Sequence, residues 1–134
     1  MSTYHLTIAT PERIVYDSEA QNLIVRTTSG EIGILRGHSP YVAPLAIGRL
    51  KVTGGDGKVL VAALSGGMIK VDPDEVTLLA DTCEWAEEID VERAERARDR
   101  AQHYIENPTE LHTVEVADAK LRRAMNRIDI GTGK

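Results

Sequence analysis

Polar and apolar positions change their rhythm once along this chain, near residue 84. Before it, Tyr4, Leu6 and Ile8 alternate with His5, Thr7 and Ala9, the period of a strand with one buried face. Pro11 ends that run. Two extended pieces follow, Arg13 to Tyr16 and a third strand with Leu23, Val25 and Thr27 on one face. Ser29-Gly30 marks a turn, Ile32 to Leu35 form a short apolar piece, and Pro40 closes the loop after it. Leu50 and Val52 alternate with Arg49, Lys51 and Thr53; Val59, Val61 and Ala63 answer from beyond Gly54-Gly55-Asp56-Gly57. Those glycines can supply the positive φ angles of a tight hairpin. Gly66-Gly67 breaks the returning strand, and Met68 to Val71, the turn Pro73-Asp74 and Val76 to Ala80 complete the series. Short strands separated by turn residues predict an antiparallel sandwich or barrel over residues 1–84.

After residue 84 the period becomes three and four. Asp90 stands where a helix begins, and its short side chain can accept from the free N–H groups of the first turn. Val91, Ala94, Ala97, Ala101 and Ile105 mark one face, and Asn107-Pro108 stops the helix. Thr113 caps a second helix with Val114, Ala117, Leu121, Ala124 and Ile128 on its face. The short connection predicts an antiparallel two-helix hairpin over residues 85–130, with a disordered tail at 131–134. The fold class expected is an all-β sandwich N-terminal domain followed by a C-terminal two-helix antiparallel hairpin. Alanine offers little area to bury, and helices of about 16 residues are marginal alone in water. Such a hairpin either opens and redocks or stays permanently docked; seam composition favours neither.

Composition narrows the function classes. The chain has 134 residues and no Phe, so Val, Ile, Leu and Ala must build the core. A net charge of −5 argues against general nucleic-acid binding. The single Cys83 forms no internal disulfide, which suits a reducing compartment. No apolar run approaches the roughly 20 residues of a membrane span, and no secretory signal is visible. A soluble cytoplasmic protein is expected.

Three groups of residues bear on chemistry. Arg93, Arg96 and Arg100 recur along the first helix, and Arg123 and Arg127 share a face of the second. If the helices fold together, both rows can converge on one polyphosphate, which guanidinium groups hold bidentately. From composition alone the favoured reading of the same residues is a solvated face with pairs such as Glu92–Arg96. A third reading takes the basic half of the second helix, Lys120, Arg122, Arg123 and Arg127, as steering toward an acidic partner. The loop at 30–40 has glycines at 30, 33 and 37 but lacks the Gly-Lys-Ser/Thr ending of a phosphate loop. Glu31 and His38 on it read as solvated surface. The four histidines lack metal-ligand spacing, and no nucleophile, base and orienter come together, so neither a metal nor catalysis is expected.

The strings TPERIVYDSEA, GEIGILRGHSPYVAPLAIGRLKV and LSGGMIKVDPDEVTLLADTCEWAEEIDVERA, with the closing hairpin, resemble the ε-subunit family of bacterial F-type ATP synthases over nearly the whole chain. The resemblance implies a noncatalytic central-stalk subunit on the cytoplasmic face of the plasma membrane, peripheral and not inserted. Its implied partners are subunit γ, the c ring and, in an extended state, the α/β catalytic head, whose hydrolysis the helices inhibit. Glu31 and His38 match positions facing the c ring, although Arg36 stands where the family usually has proline. ATP is implied as a regulatory ligand. ATP-binding members carry a motif matched by Ile89, Asp90, Arg93 and Ala94, and Glu84, Arg100, Arg123 and Arg127 also fall at matching positions. Adenine is then expected near Glu84, Ile89 and Asp90, and the phosphates near the arginines; for Asp90, a helix cap needs no ligand. The other class considered is a free-standing ATP-sensing protein outside any rotor.

Overall fold

The computed structural model describes residues 2–133 and divides into two compact units, one up to Trp85 and one from Ala86 onward. In the first, seven strands are described: β1 (Tyr4–Ala9), β2 (Ile14–Thr27), β3 (Gly30–Ile34), β4 (Tyr41–Gly54), β5 (Val59–Val71), β6 (Glu75–Ala80) and β7 (Cys83–Trp85). They pair in the order β1-β6-β5-β4-β2, and β2 returns to β1, so the sheet closes on itself. Closure leaves few unpaired edges. β3 adds to β2, and β7 to β5.

The pairings are antiparallel except that of β1 with β6, which is parallel. An antiparallel sheet throughout is thereby corrected. The reason is topological: a parallel pair needs a long connection, and here most of the domain lies between the two strands.

Alternation along each strand sorts the faces. Ile8, Leu78, Ile69 and Ala43 are successive register partners across four strands, and all are buried. One residue along, Ala9, Leu79, Met68 and Pro44 form the matching outward row, with Leu79 56% and Met68 44% exposed. Trp85 packs against the core and meets Tyr16 edge-on, ring centroids 6.3 Å apart.

Two strands differ from the sequence expectation. β2 is one strand of 14 residues, where two pieces are read from the alternation. Asp17, Ser18 and Glu19 have poor strand propensity, but β1 pairs with them and takes up their backbone groups. At the buried Ala20 the strand passes from β1 to β4. Gly66-Gly67 likewise lies within β5 and does not end it. Gly67 pairs with Ala80 on β6 and Leu64 with Cys83 on β7, so β6 and β7 lie along β5 in one continuous register.

The buried Tyr4 hydroxyl donates to the Ile34 carbonyl at 2.8 Å, tying β1 to β3. Burial pushes this phenol well above its ordinary value. Tyr4→Phe is expected to cost about 1–2 kcal/mol at neutral pH, because it leaves a buried carbonyl unpaired. The folded-state phenol is raised, so wild-type stability is intact below about pH 10 and falls above it, where only the unfolded chain ionises. Urea unfolding at about pH 7 and about pH 11 should show the variant losing less stability between the two. Tyr16, also raised chiefly by burial, keeps the remainder of the loss.

The second unit starts with a single 3-10 turn, Ala86–Glu88, followed by α1 (Val91–Glu106) and α2 (Val114–Gly131). Both caps stand where the sequence puts them. The Arg93 N–H donates to Asp90 Oδ1 at 3.1 Å, and the Val116 N–H to Thr113 Oγ1 at 3.3 Å. The helices are antiparallel: a Cβ on Gly131 would fall 2.8 Å from Val91 Cγ2 and 2.9 Å from Ile89 Cγ2. Their seam buries Ala94, Ala101, Ala117, Ala124 and Ile130. The tail differs from the disorder expected at 131–134. Gly131 is helical and Thr132 caps it, its hydroxyl donating to the Ile128 carbonyl at 2.6 Å. Lys134 lies outside the described residues.

Candidate functional site

The alanine seam that makes the hairpin thin also leaves space in it. Ala97 and Ala101 of α1 face Ala117 and Ala124 of α2 around a cavity of about 370 Å³. Larger side chains there would fill the gap. Arg100 enters from α1, and Lys120, Arg123 and Arg127 from α2. The last three stand three and four residues apart, on one stripe of the helix. Arg123 and Arg127 are half-buried, while Arg100 and Lys120 are exposed. Among the described residues, no carboxylate lines the cavity. Four cations therefore converge in a chain whose net charge is −5.

An aromatic pair forms one wall of the cavity. Tyr104 and His112 stack with ring centroids 3.9 Å apart and planes 15° from parallel. The His103 ring meets Tyr104 edge-on at 5.3 Å. A short turn fixes the backbone of His112: its N–H donates to Thr109 Oγ1, and its carbonyl accepts from the Thr109 N–H, both at 3.0 Å.

The structure brings together Arg100, Arg123 and Arg127, and leaves the other expected residues elsewhere. Arg93 and Arg96 are exposed and do not line the cavity. Arg93 is seven residues before Arg100, about 10 Å along the helix. Ala94 is buried in the seam, Asp90 accepts the cap hydrogen bond, and Ile89 packs on Gly131. Glu84 belongs to the other unit, on β7 opposite Ala63. Three further lining residues, Tyr104, His112 and Lys120, stand outside the polyphosphate set expected from the sequence. Lys120 lies three before Arg123 and was legible from that spacing; His112 sits in a connection where no period applies.

Glu31 and His38 do not cluster. Glu31 is exposed on β3 opposite Arg26, near the strand's first residue. His38 follows the strand's other end, in a loop held by Gly37 N–H on the Pro73 carbonyl at 3.1 Å and by Arg36–Asp74 at 3.5 Å. Its Nδ1 lies 2.7 Å from the Ser39 carbonyl, which fits an Nδ1–H donor. Arg36 is thus part of what shapes the loop. Leu35 beside it is 62% exposed.

Both parts of the chain match known domain families. Residues 3–86 match the beta-sandwich domain of the ATP synthase delta/epsilon chain, and residues 87–130 match its long alpha-helix domain. The chain belongs to the ATP synthase delta/epsilon family. Within that family it is similar to the ATP synthase epsilon chain of Ruminococcus albus, at 42% identity over 135 residues and 100% of both chains. The epsilon chain of Bacillus subtilis is 45% identical over 130 residues, covering 97% of this chain and 98% of that one. Among solved structures, a chain of the Euglena gracilis mitochondrial ATP synthase (OSCP/F1/c-ring, rotational state 1) superposes with a TM-score of 0.82. It is 26% identical, over 94% of this chain and 79% of that one. A chain of the Tetrahymena thermophila mitochondrial enzyme, from its central stalk and c-ring, shares the fold at 15% identity and a TM-score of 0.64, over 98% and 96%.

Proposed function

We propose that this chain is the noncatalytic ε subunit of the central stalk of a bacterial ATP synthase, and that its hairpin is a nucleotide-responsive inhibitor of ATP hydrolysis. The sandwich joins subunit γ to the c ring. The outward apolar row of Pro44, Met68 and Leu79 supports a protein partner on that face, since contiguous exposed apolar surface marks interaction sites. The loop with Leu35 and His38, together with Glu31, supports a second contact, which we assign to the c ring. In that reading the chain works at the cytoplasmic face of the membrane, peripheral to it. The hairpin is the regulatory arm: folded back in one state, and extended into the α/β catalytic head in the inhibitory one.

The observation that carries the nucleotide reading is the cavity whose cations come from both helices. Each buried seam alanine contributes only about 0.8 kcal/mol, against roughly 1.5–3 kcal/mol for a fully buried Leu or Ile. A polyphosphate held by Arg100 on one helix and Arg123 and Arg127 on the other adds a bridge of comparable size. It favours the state with the helices together only as far as it binds that state better. At ten times its dissociation constant the gain is about 1.4 kcal/mol.

Calorimetric titration of ATP into the full chain tests this. Arg123→Ala is expected to weaken binding about thirtyfold, the loss of roughly 2 kcal/mol of charge-assisted hydrogen bonding. Arg96→Ala, outside the cavity, should change affinity less than about twofold. Absence of heat at millimolar ATP removes the regulatory ligand and leaves the family membership intact.

A further inference from the structure

We propose that His112 is a proton-linked binding residue of the interhelical cavity: its imidazolium adds a fifth positive charge facing a bound polyphosphate. This rests on the reading of the cavity as a nucleotide site, and it names a regulation of that site. Three features of the structure carry it. His112 lines the same cavity as the four permanent cations. Its ring is held in orientation by the stack on Tyr104, and its backbone by the two hydrogen bonds with Thr109. Among the described residues, the cavity wall also lacks a carboxylate with which the imidazole could pair instead of a ligand.

The charged and titratable groups around it come from three elements. From α1 there are Arg100 and the Tyr104 phenol, with His103 edge-on behind Tyr104. From α2 there are Lys120, Arg123 and Arg127. The connection itself carries Glu110, which is exposed and does not line the cavity. Arginine and lysine keep their charge across the physiological range, and imidazole is the side chain whose charge ordinarily changes there. A polyphosphate against the ring favours the protonated form. Binding then draws a proton onto His112, and by linkage a falling pH tightens binding. ATP contributes the opposite trend, because its terminal phosphate loses charge over a similar range. The ratio of wild-type to variant affinities cancels that contribution.

The experiment is calorimetric titration of ATP into the full chain and into His112→Gln, at about pH 6, 7 and 8. Each titration is run in two buffers of different ionisation enthalpy. The ratio of wild-type to variant affinity is expected to grow roughly fivefold from pH 8 to pH 6, the effect of one added charge at contact distance in a hydrated site. The wild type should also take up more protons on binding than the variant. A constant ratio with equal proton uptake overturns the role of His112 while leaving the nucleotide site standing. If glutamine disturbs the turn, His112→Asn repeats the comparison. Wild-type protein that binds no ATP at any of these pH values overturns the nucleotide reading and this inference together.

Discussion

Gly67→Ala is expected to cost the sandwich at least about 4 kcal/mol and to leave little folded protein. Two effects add. Gly67 has φ +127, a conformation that glycine reaches freely and other residues do not. A Cβ there would also lie 2.0 Å from the Leu79 carbonyl oxygen and 2.8 Å from the Ala80 Cα. Those are backbone atoms of the paired strand β6, which no rotamer change can move aside. Gly30→Ala separates the two effects. Gly30 has a similar φ of +124, but nothing lies within 4 Å of its missing Cβ. It should lose only the conformational share, about 1–2 kcal/mol. Urea midpoints and soluble yield compare the two variants. Equal losses would mean that β5 and β6 do not approach so closely at Gly67.

The next largest effect is expected for Leu78→Ala, about 3 kcal/mol. Leu78 is fully buried, and its register partners on either side, Ile8 and Ile69, are fully buried too. Removing its side chain loses transfer free energy and leaves a cavity that close-packed neighbours fill poorly. Leu79, the next residue, points outward at 56% exposed, and Leu79→Ala should stay within about 0.5 kcal/mol in the isolated chain. The midpoint of urea unfolding of the sandwich reads both. Similar losses at the two positions would contradict the facing of β6. The pair also separates stability from assembly: if the outward row docks γ, Leu79→Ala should weaken γ binding while leaving the sandwich intact.

These effects show where the sequence is readable. Alternation gave β1 at once, because Tyr4, Leu6 and Ile8 all reach the core. Asp90 and Thr113 marked the helix starts because capping is a local interaction. β2 was harder to read. Its middle is polar, and it is a strand only because β1 lies beside it. Gly66-Gly67 looked like an ending because glycine signals both turns and close backbone approach, and only the presence of β6 decides between them. The same limit applies at the site. The arginines form rows on each helix, but which of them meet depends on how far one helix is shifted along the other. That shift selects Arg100 over Arg93, and it brings in Lys120 and His112.

The parallel pairing of β1 with β6 carries a consequence for synthesis. β1 can pair with β2 soon after both leave the ribosome, but its other edge stays open until residues 75–79 have emerged. The ring closes only when nearly the whole first unit is available, a topology of distant contacts that folds slowly. The hairpin, made of neighbouring helices, needs no such wait. Nascent chains halted before about residue 75 should therefore expose an unpaired β1 edge, and chaperone capture or protease sensitivity should drop sharply once β6 clears the exit tunnel.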